Sequence, residues 1–475
     1  MVVVQPPTVP AAVDPTGIPA LSGVFAPVTE QRDADRLTVE GELPPGLSGA
    51  FLRNGPNPLF PPLGSYTYPL DGDGMIHGLW FDDGAVRYRN RTVWTPQLEV
   101  EREAGQARWP GLMTPYLPGP DLVPEALAGQ YKPLPDINIV RHGGRYLALA
   151  EVDPPVEVNA DLDTVGAYDF GGAIPGMCAH PRIDPLTGEM VLFRYNIEAP
   201  FLTWSVVAPD GSVSVAPRAI DLEAPTMIHD FTITASYVVL FVGPLVFDFE
   251  ALFSGGGMLA WRPEQGMRIA VIRRDGTGPV RWLETEAFWV WHFANAFERT
   301  GAGGRAEVVV DYTEWSRPGL AGSGPITGAV SRAVLDLDAA TVAVDHFDDR
   351  PAEFSRIDDR LTGRPHRFFV ATTKSGDLPV GEQNTLVRVD TEHLSVERWD
   401  SGEWVFDEVV FVPAPEGGPE GFYVTFRTNR STLESDFVFL AASDIAGGPV
   451  ARIRLPFRVP AGLHGNWMPS VDLPG

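Results

Sequence analysis

The stretch EVVVDYTEW (residues 307–315) carries three valines, a tyrosine, a threonine and a tryptophan in nine positions. β-Branched and aromatic side chains of this kind suit the pleated, half-buried surface of a strand. Runs of the same character recur on both sides of it. Towards the N-terminus they are MRIAVIRR (267–274), YVVLFVG (237–243) and MVLFRYNI (190–197); towards the C-terminus, RFFVATT (367–373), TLVRVD (385–390) and DFVFLAAS (436–443). Many alternate apolar with polar residues, the period of a strand. Asp83-Gly84, Asp210-Gly211 and Asp275-Gly276 read as hairpin turns, because Asp-Gly tolerates the positive φ that tight hairpins need. HGGR (142–145) and SGE (401–403) are similar breakers.

Helical signals are few. TPQLEVEREAG (95–105) offers Thr95 as N-cap, Pro96 at the first helical position and Gly105 at the C-terminus. PEALAGQY (124–131) is a second candidate. With 49 Gly and 46 Pro in 475 residues, the chain reads as many short strands joined by tight turns. The strands are spread evenly and show no clean fixed-period repeat. The expected class is all-β. A β-propeller fits best, since radial blades hold many short antiparallel strands without long exposed edges; a large sandwich or two β-domains is the alternative. A loosely ordered leader is expected over 1–25 and a single β-body over 26–475. The long irregular segments 95–137 and 315–330 would cap one face.

The net charge is −26 and the sequence pI near 4.7. A nucleic-acid binder needs a basic surface to displace counterions, and none is evident. The lone cysteine, Cys178, excludes an intrachain disulfide and points to a reducing, cytoplasmic compartment. It stands two residues before His180, but a single thiol is more often a small buried residue than a ligand. No stretch is long and apolar enough for a spanning helix. The proline-broken N-terminus lacks the basic region of a signal peptide.

Nine histidines divide into two groups. His142, His346, His366 and His393 lie in turn-like or charged surroundings that predict solvated side chains. His77 follows DGDGMI, where Asp71 and Asp73 resemble the opening of a calcium loop without the rest of that pattern. His180, His229, His292 and His464 differ: each stands where an apolar run meets a turn or polar residue. A radial fold brings such places together at its axis. Spacing alone leaves both readings open, because a lone histidine is more often a satisfied structural residue than a ligand.

The flanking words narrow this. AHPRIDP (179–185), IHDFTIT (228–234), VWHFANAFE (290–298) and LHGNW (463–467) resemble, in order, the four iron-ligand segments of the carotenoid cleavage oxygenase family. FLRNGPNP (51–58) and YPLDGDGMIHGLWF (68–81) are similar to that family's N-terminal signature. LALAE (147–151), EFSRID (353–358) and DEVVFVPAPEG (407–417) resemble its three glutamate-bearing segments. The resemblance runs from about Leu47 to Trp467. It implies a seven-bladed β-propeller under a dome of loops and short helices. It also implies one Fe(II) per chain on His180, His229, His292 and His464, with Glu151, Glu353 and Glu408 holding the outer N–H groups of ligating histidines. Neutral imidazoles suit Fe(II) and leave coordination positions open, and such carboxylates fix the tautomer and raise ligand basicity.

The activity implied is oxidative cleavage of a C=C bond by O2 into two carbonyl groups. The alkene would be a carotenoid or apocarotenoid; the alternative is an aryl alkene, such as a stilbene or isoeugenol. Aryl-alkene relatives resemble one another in a Phe, a Tyr and a Lys around a phenol. Phe60 and Lys132 match the first and last, while Leu98 falls where the Tyr would be, removing a hydrogen-bond partner for the phenol. Ile137 stands where many relatives have Thr beside the open iron position. The apolar segment 241–261, FVGPLVFDFEALFSGGGMLAW, is expected at the tunnel mouth and in peripheral contact with a membrane.

Overall fold

A computed structural model describes residues 8–470 apart from Tyr68, Gly255, 321–324 and 416–419. The first seven residues of the expected leader, part of the expected cap 315–330 and the end of DEVVFVPAPEG therefore lie outside the described residues.

Seven antiparallel sheets follow one another along the chain, as the blades of a propeller. Blade two comprises Asn138–His142, Arg145–Leu149, Val156–Val158 and Thr164–Ala167. Blades three to six repeat this plan, starting at Arg182–Ile183, Thr232–Ile233, Phe293–Thr300 and Glu353–Arg356. Blade seven begins at Val410–Pro413 and continues through Gly421–Asn429, Ser435–Ala441 and Pro449–Leu455. The ring closes twice. Gly465–Pro469 pairs with Gly49–Arg53 in blade one, and Thr38–Gly41 pairs with Pro449–Leu455 in blade seven. Gly465–Pro469 thus covers the inner edge of Gly49–Arg53, and Thr38–Gly41 the outer edge of Pro449–Leu455.

The first strands of the blades form the axis. Phe293–Thr300 touches Thr232–Ile233 and Glu353–Arg356, and Gly465–Pro469 touches Val410–Pro413 and Asn138–His142. Inner strands are buried on both faces between neighbouring blades, which explains their near-continuous apolar runs. In Ser435–Ala441, Phe437 and Phe439 face Phe51, Leu79 and Phe81 of blade one. Val438 and Leu440 face Val370 and Leu386 of blade six. Each such fully buried side chain stabilises the fold by roughly 1.5–3 kcal/mol. Outermost strands alternate instead, as in Thr341–Asp348.

All seven quoted runs are strands, and Asp83-Gly84 makes a two-residue hairpin with both φ positive, at 43° and 78°. The helix α1 spans Pro96–Ala104, with the Thr95 hydroxyl accepting from the Leu98 N–H and Gly105 left-handed at φ 66°. The segment PEALAGQY forms only a 3-10 turn, Glu125–Leu127, because Pro124 precedes it and Gly129 turns left-handed after it. Of the expected loose leader, residues from Ala12 onward are tied down. Ala12 bridges to Leu63, and Val24 and Phe25 pack against Val405 and Ala461. Segment 95–137 contributes α1 and cavity-lining loops, and Leu320 packs against the core of blades two to four.

Candidate metal centre

His180, His229, His292 and His464 each stand one to three residues before the innermost strand of blades three, four, five and one. The same place holds Glu408 in blade seven and Asp136 with Ile137 in blade two, while Glu353 opens the innermost strand of blade six. Glu151 follows the second strand of blade two, Arg145–Leu149. An antiparallel second strand ends on the rim where the first begins, so Glu151 reaches the same axis.

Seven side chains therefore meet where local sequence cannot bring them together. All four histidines are buried, and their ligand atoms lie within 4.8 Å of one another. The Nε2 atoms of His180 and His229 are 3.0 Å apart. Three histidines are held from outside by carboxylates. His229 Nδ1 is 3.0 Å from Glu151 Oε2, His292 Nδ1 2.6 Å from Glu353 Oε2, and His464 Nδ1 3.0 Å from Glu408 Oε1. An Nδ1–H donated to a carboxylate leaves the Nε2 lone pair pointing inward.

The donor set fits a metal cation. Inward lone pairs with no proton between them are unsatisfied, and His292 Nε2 is buried without a hydrogen-bond partner. Burial, reinforced by the neighbouring histidines, holds His180 and His292 well below the usual imidazole range, in the neutral form that ligates. Burial also lowers His229, but the Glu151 carboxylate outweighs it and raises the group. Burial pushes Glu353 well above the usual carboxylate range. It pushes Glu408 the same way, but Arg356 and His464 overcome it and lower this group. Arg356 Nη1 lies 2.8 Å from Glu408 Oε2, which also accepts the Gly465 N–H at 3.0 Å. Asp230 joins blades three to five, accepting from Arg182 at 2.6 Å and from the Phe293 N–H at 2.8 Å.

Two cavities approach this cluster. The larger, about 810 Å³, has an apolar wall that includes Leu70, Met113, Ile137, Leu192, Met227 and Leu259. Glu151 also borders it. The other, about 390 Å³, is bordered by His180, His292 and His464 and by Arg182 and Arg356. The larger cavity does not touch the histidines, but Ile137 does: its carbonyl accepts the His464 N–H at 3.2 Å. Ile137 therefore lines the apolar chamber and also meets the backbone of a cluster residue.

The remaining expectations divide. Lys132 is not solvated. It lies between Asp73 Oδ1 at 2.5 Å and Glu101 Oε2 at 2.6 Å, both carboxylates buried, and borders the larger cavity. Asp73 also accepts the Leu59 N–H, and Asp71 those of Thr67 and Leu112, so the calcium-like residues brace loops instead. Phe60 borders a small pocket of about 20 Å³ with Lys132. Leu98 is buried on α1 and borders neither. Phe247, Met258 and Leu259, from the apolar segment 241–261, do line the larger cavity. Cys178 is buried, its thiol pushed up to about 12 by burial, and is not part of the cluster. Expected solvated, His366 and His142 are buried. His366 lies 3.0 Å from Asp311, and His142 reaches the Gly188 carbonyl at 3.0 Å. Sequence reading passed over Asp136, Glu101, Asp230 and Arg356. For Asp136 the signal was its place just before an inner strand, the place Glu408 and His464 also hold.

The profile of the family described as "Retinal pigment epithelial membrane protein" matches residues 25–469. A carotenoid cleavage oxygenase of Mycobacterium tuberculosis is 31% identical over 516 aligned residues, covering 95% of this chain and 98% of the relative. An isoeugenol monooxygenase of Pseudomonas putida is 29% identical, covering 94% of this chain and 98% of the relative. Among solved structures, the lignostilbene dioxygenase of Pseudomonas brassicacearum superposes with a TM-score of 0.87 at 28% identity, over 97% of this chain and 100% of that one.

Proposed function

This chain belongs to the family of the retinal pigment epithelial membrane protein and the carotenoid cleavage oxygenases, and from that membership we propose that it is an Fe(II)-dependent dioxygenase that cleaves a C=C bond of a carotenoid or apocarotenoid. One O2 is consumed and two carbonyl products form. The observation that carries this reading is the inward set of histidine Nε2 atoms, braced by three carboxylates, beside an apolar chamber of about 810 Å³.

His180, His229, His292 and His464 would hold one iron per chain. Bound there, Fe(II) supplies the activation of O2 towards the double bond. Glu151, Glu353 and Glu408 keep three imidazoles in the Nδ1–H tautomer and offset the ion's charge in a site where an unpaired charge is costly. Leu70, Met113, Met227 and Leu259 give an extended apolar alkene a dry path, and Ile137 sets how closely it approaches the histidines. The aryl-alkene reading rests on Lys132 as a phenol contact. Its ammonium is already engaged by Asp73 and Glu101, which favours the carotenoid reading.

No helix among the described residues is long and apolar enough to cross a membrane. Phe247, Phe249 and Leu252, half-buried near the chamber, form a peripheral contact through which a membrane-dissolved substrate enters from the cytoplasmic side.

The deciding experiment is turnover of an apocarotenal by the Fe(II)-loaded protein under labelled O2, with O2 uptake and product masses recorded. One O2 per alkene and label in both carbonyls are expected. Cleavage of resveratrol or isoeugenol with none of apocarotenals would establish the aryl-alkene activity instead. Isomerised product under argon would replace cleavage with isomerisation.

A further inference from the structure

The apolar wall of the larger cavity contains a carboxyl group for which the described residues provide no partner. Asp136 is 1% exposed, contributes to that wall, and among the described residues neither of its side-chain oxygens has a hydrogen-bond partner. Its backbone is held in place. The Asp136 N–H donates to the Leu134 carbonyl at 2.9 Å, and Asn54 Nδ2 donates to the Pro135 carbonyl at 2.8 Å. It directly precedes Ile137, whose backbone carbonyl accepts the His464 N–H. A buried carboxyl without a partner is costly in any fold, and such a group in a cavity wall marks where a ligand's polar atom belongs.

The surroundings also decide which form this group takes. The charged neighbours bearing on it are Asp71, Asp73 and Glu151, all acidic. The nearby ammonium of Lys132 is taken by Asp73 and Glu101. Burial, against the lowering pull of its own backbone N–H and helped by these like charges, holds the Asp136 carboxyl well above the usual range. A neutral carboxyl offers one O–H donor and a carbonyl acceptor. That pair complements an alcohol or aldehyde and offers nothing to a hydrocarbon.

We propose that Asp136 reads a terminal oxygen on the alkene substrate, selecting oxygenated over hydrocarbon ligands and thereby positioning the chain against Ile137 and the histidines. The inference rests on the alkene-cleaving reading above and names the feature of the substrate that this chamber recognises. Asp136 is a positioning residue in this account; it takes no part in bond cleavage.

Binding tests it without turnover. Dissociation constants are measured anaerobically, by quenching of tryptophan fluorescence, for two matched pairs: an apocarotenol with its deoxygenated hydrocarbon, and trans-4-hydroxystilbene with trans-stilbene. In Asp136→Leu, the oxygenated member of the pair that fits is expected to bind about tenfold more weakly, with its partner unchanged or tighter. Asp136→Asn keeps a donor and an acceptor and retains the preference. Asp136→Ala makes the same comparison should leucine not fit the space. Equal weakening of both members, or no change in either, overturns the proposal while leaving the alkene reading intact. Failure of the wild-type protein to bind all four ligands overturns both.

Discussion

The backbone N–H of His464 donates to the carbonyl of Ile137 at 3.2 Å, so one residue in the wall of an 810 Å³ apolar chamber is locked directly against the histidine cluster. Ile137 thus joins the chamber wall to the backbone of His464. Ile137→Ala enlarges the chamber beside His464. It should cost about 2 kcal/mol, at the low end for buried Ile→Ala because the new space joins an existing cavity. It should also raise kcat/KM for a bulky alkene relative to a slender one. Thermal denaturation and competition between two alkenes of different width check both effects; an unchanged ratio would remove Ile137 from the approach path.

Glu353 makes the shortest of the three carboxylate contacts, 2.6 Å to His292 Nδ1. In Glu353→Gln the amide presents an N–H as well as a carbonyl, and the His292 tautomer is no longer dictated. Metal affinity should fall about 10- to 100-fold, while His292→Ala should lose bound iron almost entirely. Competition with a coloured chelator measures the first, and elemental analysis of the purified protein the second.

Lys132 neutralises two buried carboxylates at once. Lys132→Met leaves Asp73 and Glu101 facing each other without a cation and should destabilise the protein by about 3–5 kcal/mol near neutral pH. Burial alone would lower the ammonium, but Asp73 and Glu101 hold it above its ordinary 10.5. A raised group stabilises fully below its unfolded value and loses that contribution as pH rises through the folded value. The gap between wild type and variant should narrow only above about pH 10.5. Urea titrations at neutral and alkaline pH read the difference directly.

Asp71 acts in the same direction in an acidic window. Burial raises it from 3.8 to about 6, against the N–H groups of Leu112 and Thr67 that favour the carboxylate. Between those values the folded state binds a proton that the unfolded chain has released. Stability should therefore fall as pH rises from about 4 to 6, by an amount on the order of 3 kcal/mol, and level off above. Asp71→Asn should flatten that limb of the denaturation profile.

Phe247 stacks with Phe249 at 6.2 Å beside the chamber, and Leu252 follows on the same short helix, Phe249–Phe253. Changing Phe247, Phe249 and Leu252 to serine should reduce sedimentation with neutral phosphatidylcholine vesicles severalfold. Vesicle binding that does not change would place any membrane contact elsewhere.

Local chemistry by itself determined the strands, the hairpin at Asp83-Gly84 and both caps of α1. Backbone preference and side-chain shape act over a few residues, and nothing distant opposes them at these positions. The identities of the four histidines were equally legible, through the words around them. What they and their partners do together was decided only by the closed ring. Glu353 lies 61 residues from His292, and Arg53 lies 354 residues from Asp407, 2.6 Å from its carboxylate. The burial of Lys132 depends on α1 presenting Glu101 and on the loop presenting Asp73, which its own neighbours in sequence do not reveal. For Asp136 the sequence shows only its place before an inner strand; that its carboxyl is unpartnered is defined by what fails to reach it, and that is a property of packing alone.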